Sequence, residues 1–184
     1  HSASERFIRL HPRHPNIDYA YFMRGVTSYT RDKSFFARLF EDNLPKRDIS
    51  GAKQSFSELS EFLTRFPDSQ YAPYANQRLI YLRNMIAKHE LTAADYYLRR
   101  EAFIAALRRA KYVLEHIPNS SENLRALNIL KEAYENLGYL DLLEDVEKTI
   151  VINYPNQELE DSKTQSRGFW PFNREAPQPP QQES

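Results

Sequence analysis

The chain has no cysteine, only four glycines, and no apolar run of the roughly 18 residues that a bilayer-spanning helix requires. Without cysteine, neither disulfides nor thiolate chemistry is available, and the redox compartment is not indicated. The 25 lysines and arginines balance the 25 aspartates and glutamates, so the net charge is zero. A balanced charge gives no general reason to expect nucleic acid or an anionic membrane as partner.

The sequence does contain a short motif that occurs four times: a large apolar residue followed five positions later by proline. The copies are Phe7 with Pro12, Phe62 with Pro67, Val113 with Pro118, and Ile150 with Pro155. Proline lacks the N–H that a helix interior needs and disfavours helical geometry in the residue before it, so each copy predicts a helix end. Four such ends at long intervals predict an all-α solenoid of antiparallel helix pairs.

The spacing of the copies favours tetratricopeptide repeats. Only the last interval is close to the unit of about 34 residues, and the longer ones predict inserted turns or a loop. We predict a tetratricopeptide-repeat domain at residues 1–155, comprising the end of one repeat, about three further repeats and an insertion near 31–48. Residues 156–184 are rich in proline and glutamine, which predicts a disordered tail. Its aromatic motif, Phe169, Trp170 and Phe172, is a candidate partner-binding segment of unknown role.

Apolar periodicity locates the helices within the repeats. It predicts helices over about 4–11, 17–30 and 49–66, and two or three helices between 71 and 118. In that stretch we expect a break near Glu101 and consider a kink near Leu91. Asn119 and Glu122 resemble a capping box, and Gly138 is placed as a helix C-cap. Because the chain starts with His1 inside the second half of a repeat, we expect further sequence upstream.

Two surfaces are candidates for partner binding. Tyr19, Phe22, Val26 and Tyr29 recur at helical spacing and form either a peptide-binding groove or core for upstream helices. The basic run of Arg99, Arg100, Arg108, Arg109 and Lys111 is either a solvated face or a contact for an acidic protein surface. Nucleic acid is the weaker interpretation, because the domain is not basic as a whole.

No catalytic or metal-binding pattern is found. The sequence has no Walker loop, no G-x-S-x-G and no H-E-x-x-H, and the abundant aspartates and glutamates are expected on outward faces. His11 and His14 lie close together but have no third ligand nearby. We therefore expect a protein that is not an enzyme and has no metal or cofactor.

Several stretches resemble the BamD family, the lipoproteins of the outer-membrane β-barrel assembly machinery of Gram-negative bacteria. They are residues 7–12, 14–19, 23–25, 47–48, 66–71, 78–79, 87–88 and 96–97, the last near Arg100. The resemblance runs from Ser4 to about Pro155 and implies a rod of five tetratricopeptide repeats. This chain would hold the end of the second repeat and all of the third to fifth.

The resemblance also implies a function. It implies a non-enzymatic scaffold on the periplasmic face of the outer membrane, attached through a lipid anchor that this sequence does not contain. Its partners would be the POTRA domains of BamA, the lipoproteins BamC and BamE, and unfolded outer-membrane proteins, the last received near Tyr19 to Tyr29. Arg109, with Arg108 and Arg100 beside it, would contact the acidic POTRA surface. The alternative is a periplasmic tetratricopeptide adaptor of another cell-envelope complex.

Overall fold

The computed structural model describes residues 1–31 and 49–155. Most of the predicted insertion near 31–48 lies outside the described residues, and so does the predicted disordered tail at 156–184 with its aromatic motif. The described residues form seven helices and no strand. The helices are α1 (Ser2–Leu10), α2 (Ile17–Arg31), α3 (Ser50–Arg65), α4 (Ala72–Arg99), α5 (Phe103–His116), α6 (Asn123–Leu137) and α7 (Leu140–Asn153).

Each helix packs against the next one along the chain, and α4 additionally contacts α6. Packing that involves almost only sequence neighbours is the property that defines a solenoid. The buried core runs from α2 to α7, with Leu59, Phe62, Leu82, Leu91 and Val113 fully buried. Ile8 of α1 is partly buried and packs against this core. The predicted all-α, tetratricopeptide-like fold is confirmed.

The four copies of the proline motif end their helices with one shared geometry. In each copy, the residue before proline donates its N–H to the carbonyl of the apolar residue that begins the motif, at 2.8–2.9 Å. The four donors are His11, Phe66, Ile117 and Tyr154, with φ from −129° to −135° and ψ from 52° to 60°. Such φ values avoid the helical geometry that a following proline disfavours, so the sequence repeat is also a repeat of conformation.

Two helices, not three, occupy residues 71–118. The predicted break near Glu101 is confirmed, since α4 ends at Arg99 and Glu101 turns the chain with φ of 58°. Near Leu91, where a kink was considered, α4 is not interrupted, and the helix runs for 28 residues from Ala72 to Arg99. Leu91 and Ala94 are fully buried there, so the apolar stripe that stabilises the helix has no interruption.

The turns that flank α6 give one correction and one confirmation. The predicted capping box at Asn119 and Glu122 is wrong, because α6 starts only at Asn123, without a side-chain cap. Asn119 instead adopts a φ of 60°, which asparagine tolerates better than most residues, and the Ser120 hydroxyl accepts the Glu122 N–H. Gly138 is the predicted C-cap, in the left-handed conformation with φ of 72°.

Close contact between α2 and α3 depends on Gly25. A Cβ built on Gly25 would lie 2.7 Å from the Leu59 side chain, which is fully buried. The Ser55 hydroxyl donates to the Gly25 carbonyl at 2.7 Å across the same contact. The face of α2 that carries Gly25 therefore lies against α3, and its buried residues Tyr21 and Ser28 also contact α3.

Candidate partner-docking surface

The basic run divides between two sides of the turn that joins α4 to α5. Arg100 lies at the turn, with its guanidinium carbon 5.5 Å from the centroid of the exposed Tyr96 ring. Arg108 and Arg109 lie on α5, and both line a cleft at this junction. Of the three arginines proposed as a dock, the structure brings two together in one cleft and places the third on the adjoining turn.

Arg109 is tied to the interior of the protein through Glu90 of α4. Its Nη1 donates to Glu90 Oε2 at 2.6 Å, and Lys53 of α3 donates to Oε1 at 3.0 Å. The Glu90 side chain is only 5% exposed, whereas both cations are about half exposed. Each carboxylate oxygen thus receives one charged hydrogen bond, which is what a buried carboxylate requires. The network connects three successive helices.

The ionisation of Glu90 is set by this network. Burial alone would raise the pKa of Glu90, but the hydrogen bonds from Lys53 and Arg109 outweigh it and hold the pKa below its ordinary value. The hydrogen bond to Glu90 in turn raises the pKa of Arg109. Glu90 and Arg109 are therefore both charged at neutral pH.

Glu90 corrects the expectation that the acidic residues lie on outward faces. It was missed because glutamate is common on solvated helix surfaces, but its position in the apolar stripe gave a signal. Ala87, Leu91 and Ala94 are all fully buried around it. A charged residue is rarely buried unless it is paired, so a glutamate inside such a stripe predicts a cationic partner on a neighbouring helix.

The cleft at the junction of α4 and α5 has a largely apolar floor, which the sequence did not reveal. We call it the junction cleft. Its volume is about 530 Å³, and its lining comprises Tyr97, Glu101, residues 102–105, Arg108, Arg109 and Leu137. Ile104 is 42% exposed in it, and α5 begins there at Phe103, with no side-chain cap from the N-cap residue Ala102. The first N–H groups of a helix carry partial positive charge, so they add to the field of the arginines.

The aromatic stripe on α2 is mostly packed against other helices. Phe22 stacks on Tyr71 at 5.2 Å between ring centroids and 11° between planes, and it also contacts Phe62 at 5.8 Å. Tyr29 is 6% exposed, and Val26 packs against the core. Of the four residues predicted to line a groove, only Tyr19 is exposed, at 46%. The ring partners of Phe22 and the hydroxyl partner of Tyr29, Tyr81, all follow α2 in the chain.

The histidines of the first connector are part of local packing. His14 accepts the Asn16 N–H at 3.1 Å, and its ring lies 5.2 Å from that of Phe7. Across residues 1–31 and 49–155, no three histidines or acidic residues come together in a group that could hold a metal ion. None of the helices described there is both long enough and apolar enough to cross a bilayer.

Comparison with known proteins identifies the family. A model of the YfiO family, described as an outer membrane lipoprotein, matches residues 1–158. This chain belongs to the YfiO family. Curated relatives carry the name outer membrane protein assembly factor BamD. The one from Xylella fastidiosa strain 9a5c is 36% identical over 170 residues, which is 92% of this chain and 56% of the relative.

Two further YfiO relatives with the same name come from other bacteria. The Vibrio cholerae protein is 37% identical over 149 residues, covering 81% of this chain and 62% of the relative. The Neisseria meningitidis serogroup A protein is 36% identical over 154 residues, covering 84% and 58%. The chain therefore spans little more than half the length of the curated relatives it matches, while most of its own length is matched.

Proposed function

We propose that this chain is part of a non-enzymatic scaffold that supports the folding and insertion of outer-membrane proteins. The proposal is supported by the YfiO match over residues 1–158 and by relatives that are named outer membrane protein assembly factors. A solenoid of helix pairs suits this role, since it presents long surfaces to several partners at once. The scaffold docks onto the periplasmic POTRA domains of BamA.

The observation that carries the docking proposal is the basic surface at the α4–α5 junction. Arg108 is exposed and lines the junction cleft, and in the described part of the chain it has no ion-pair partner. Guanidinium groups bind carboxylates through charged, often bidentate hydrogen bonds. An acidic surface on a POTRA domain is the matching partner, with Arg100 adding charge from the turn.

Arg109 contributes in a different way, because one of its donors is already used. It donates to Glu90 through Nη1 and is about half exposed. A guanidinium carries five N–H donors, so Arg109 keeps donors for a carboxylate of the partner. Its bond to Glu90 fixes the guanidinium before docking, which lowers the side-chain entropy lost when the partner binds.

The family match supports a wider setting for this function. In this function the chain works at the periplasmic face of the outer membrane, held by a lipid anchor, which fits the description of the family as an outer membrane lipoprotein. BamC and BamE are its further partners. Unfolded outer-membrane proteins are received near the stripe on α2, where Tyr19 is the exposed member.

Calorimetric titration with the POTRA array of BamA from the same bacterium tests the docking. We expect saturable binding that weakens as salt rises, because exposed charge contacts are screened. Arg108→Glu should weaken binding by about tenfold or more, since it replaces an attraction by a repulsion. Arg9→Glu is the matched control, an exposed arginine on α1, and should leave binding unchanged. A folded wild-type chain that gives no saturable heat would refute the docking.

A further inference from the structure

We infer that the junction cleft recognises a two-part feature of its partner, an acidic side chain beside a large apolar one. The acidic group pairs with Arg108, and the apolar group enters the cleft against Ile104 and Leu137. This inference rests on the proposed function where it identifies the partner as a POTRA domain. The recognition chemistry itself can be tested without BamA.

The apolar half of the inference comes from the lining of the cleft. Ile104 is 42% exposed, and Phe103 and Leu137 are half-buried beside it. The cleft is open to solvent, and its volume of about 530 Å³ lies within the range of clefts that bind small organic groups. An inserted phenylalanine or leucine side chain would remove these apolar surfaces from water, which favours binding.

The acidic half comes from the distribution of charge. The lining of the cleft holds two arginines, Arg108 and Arg109, against one carboxylate, Glu101, and Arg99 and Arg100 immediately precede Glu101 in the chain. Glu90 is buried and is saturated by Lys53 and Arg109. Arg108 is left as the cleft cation that has no ion-pair partner within the described residues. The excess of positive charge selects an anionic group on the partner.

Neither half alone accounts for the site. A purely anionic ligand, such as a nucleic acid backbone, would leave the apolar floor in contact with water. A purely apolar segment would cover Arg108 and strip its hydration without supplying a hydrogen-bond acceptor, which is costly for a charged group. A carboxylate next to a large apolar side chain satisfies both surfaces together. The occupant is therefore an acidic and apolar protein segment.

Titration of the ¹⁵N-labelled chain with short blocked peptides tests this chemistry directly. The probes are N-acetyl-Asp-Phe-amide, N-acetyl-Asp-Ala-amide and N-acetyl-Lys-Phe-amide. We expect saturable amide shifts confined to residues around 97–109 and Leu137 with the Asp-Phe peptide, and at least tenfold weaker binding of the other two. Equal effects of the three peptides, or no saturable shift with Asp-Phe, would overturn the inference.

Two variants and two matched controls connect the peptide result to the cleft. Ile104→Asp and Arg108→Glu should each abolish the Asp-Phe shifts. Both residues are exposed, and aspartate in the first turn of α5 suits the helix dipole, so folding should be retained and is checked by circular dichroism. The controls are Ile80→Asp on α4, where the isoleucine is 54% exposed, and Arg9→Glu. Either control abolishing the shifts would contradict a local site.

The same variants, titrated with the POTRA array, separate this inference from the proposed function. If Arg108→Glu weakens binding of the array but Ile104→Asp does not, the docking stands and the two-part recognition is wrong. If the Asp-Phe peptide binds and the array does not, the chemistry of the cleft stands and the docking onto BamA is wrong. Loss of array binding in both variants supports both.

Discussion

Replacing Arg109 by glutamate is expected to destabilise the fold as well as any docking. The substitution removes the 2.6 Å hydrogen bond to Glu90 and places a second carboxylate near a side chain that is only 5% exposed. Lys53 then remains as the one cation on Glu90. Arg108→Glu is the matched control on the same helix, because in the described residues Arg108 has no ion pair to lose.

The magnitude follows from the exposure of the pair. A hydrogen bond to a charged group contributes about 1.5–3 kcal/mol, and breaking a fully buried pair costs about 3–5 kcal/mol. Because Arg109 is about half exposed and Lys53 is retained, we take the lower range, about 2 kcal/mol. For a chain of this size, that loss lowers the melting temperature by about 4–8 °C.

Thermal melting followed by circular dichroism measures this change in the wild type, Arg109→Glu, Glu90→Gln and the double variant. In the Glu90→Gln background, Arg109→Glu should cost only about 0.5 kcal/mol, because the repulsion between carboxylates is gone. If Arg109→Glu melts within about a degree of Arg108→Glu, the pair contributes nothing measurable and the reasoning fails. If the substitution costs the same in both backgrounds, its effect does not pass through Glu90.

Three further predictions concern Glu90 and two glycines. The pKa of Glu90 is lowered below its unfolded value of about 4.3, so the stability that ionised Glu90 contributes is present above that pH and is lost on further acidification. In a plot of melting temperature against pH, Glu90→Gln should therefore make the fall on the acidic side less steep. Gly25→Ala should cost about 1–3 kcal/mol by overpacking against Leu59, measured by calorimetry, and less in a Leu59→Ala background. Gly138→Val should cost about 1 kcal/mol or more and Gly138→Asn less, because Gly138 has open space around it and only its positive φ resists a side chain. Equal melting temperatures for Gly138→Val and Gly138→Asn would contradict the explanation by backbone strain.

The sequence predicted the helix ends best where the backbone itself imposes them. Pro118 forces a stop because it has no N–H to donate and restricts the residue before it, and Gly138 permits a left-handed cap that most residues resist. Both effects act over one or two residues, so no knowledge of the packing is needed. The predicted capping box at Asn119 failed because the same residue type also favours left-handed turns, and only the path of the chain decides between the two uses.

The candidate site was predictable only in part, because contacts between different helices form it. The basic run predicted that Arg108 and Arg109 matter together, but adjacent residues on a helix point about 100° apart. Which of them turns inward depends on a partner in another helix, Glu90, whose contact with α5 the local pattern does not contain. The apolar floor was missed for the same reason, since Leu137 reaches the junction cleft only through the packing of α6 on α5.

This difference between neighbouring arginines decides how docking should be tested. Because Arg109 holds a buried carboxylate and also lines the junction cleft, weaker binding of an Arg109 variant mixes lost contacts with a loosened junction of α3, α4 and α5. Arg108 makes no such contribution to the fold within the described residues, so its substitution reports on the partner alone. A larger effect on binding from Arg109→Glu than from Arg108→Glu would therefore not identify Arg109 as the stronger contact. The comparison becomes informative only after the stability of each variant is measured.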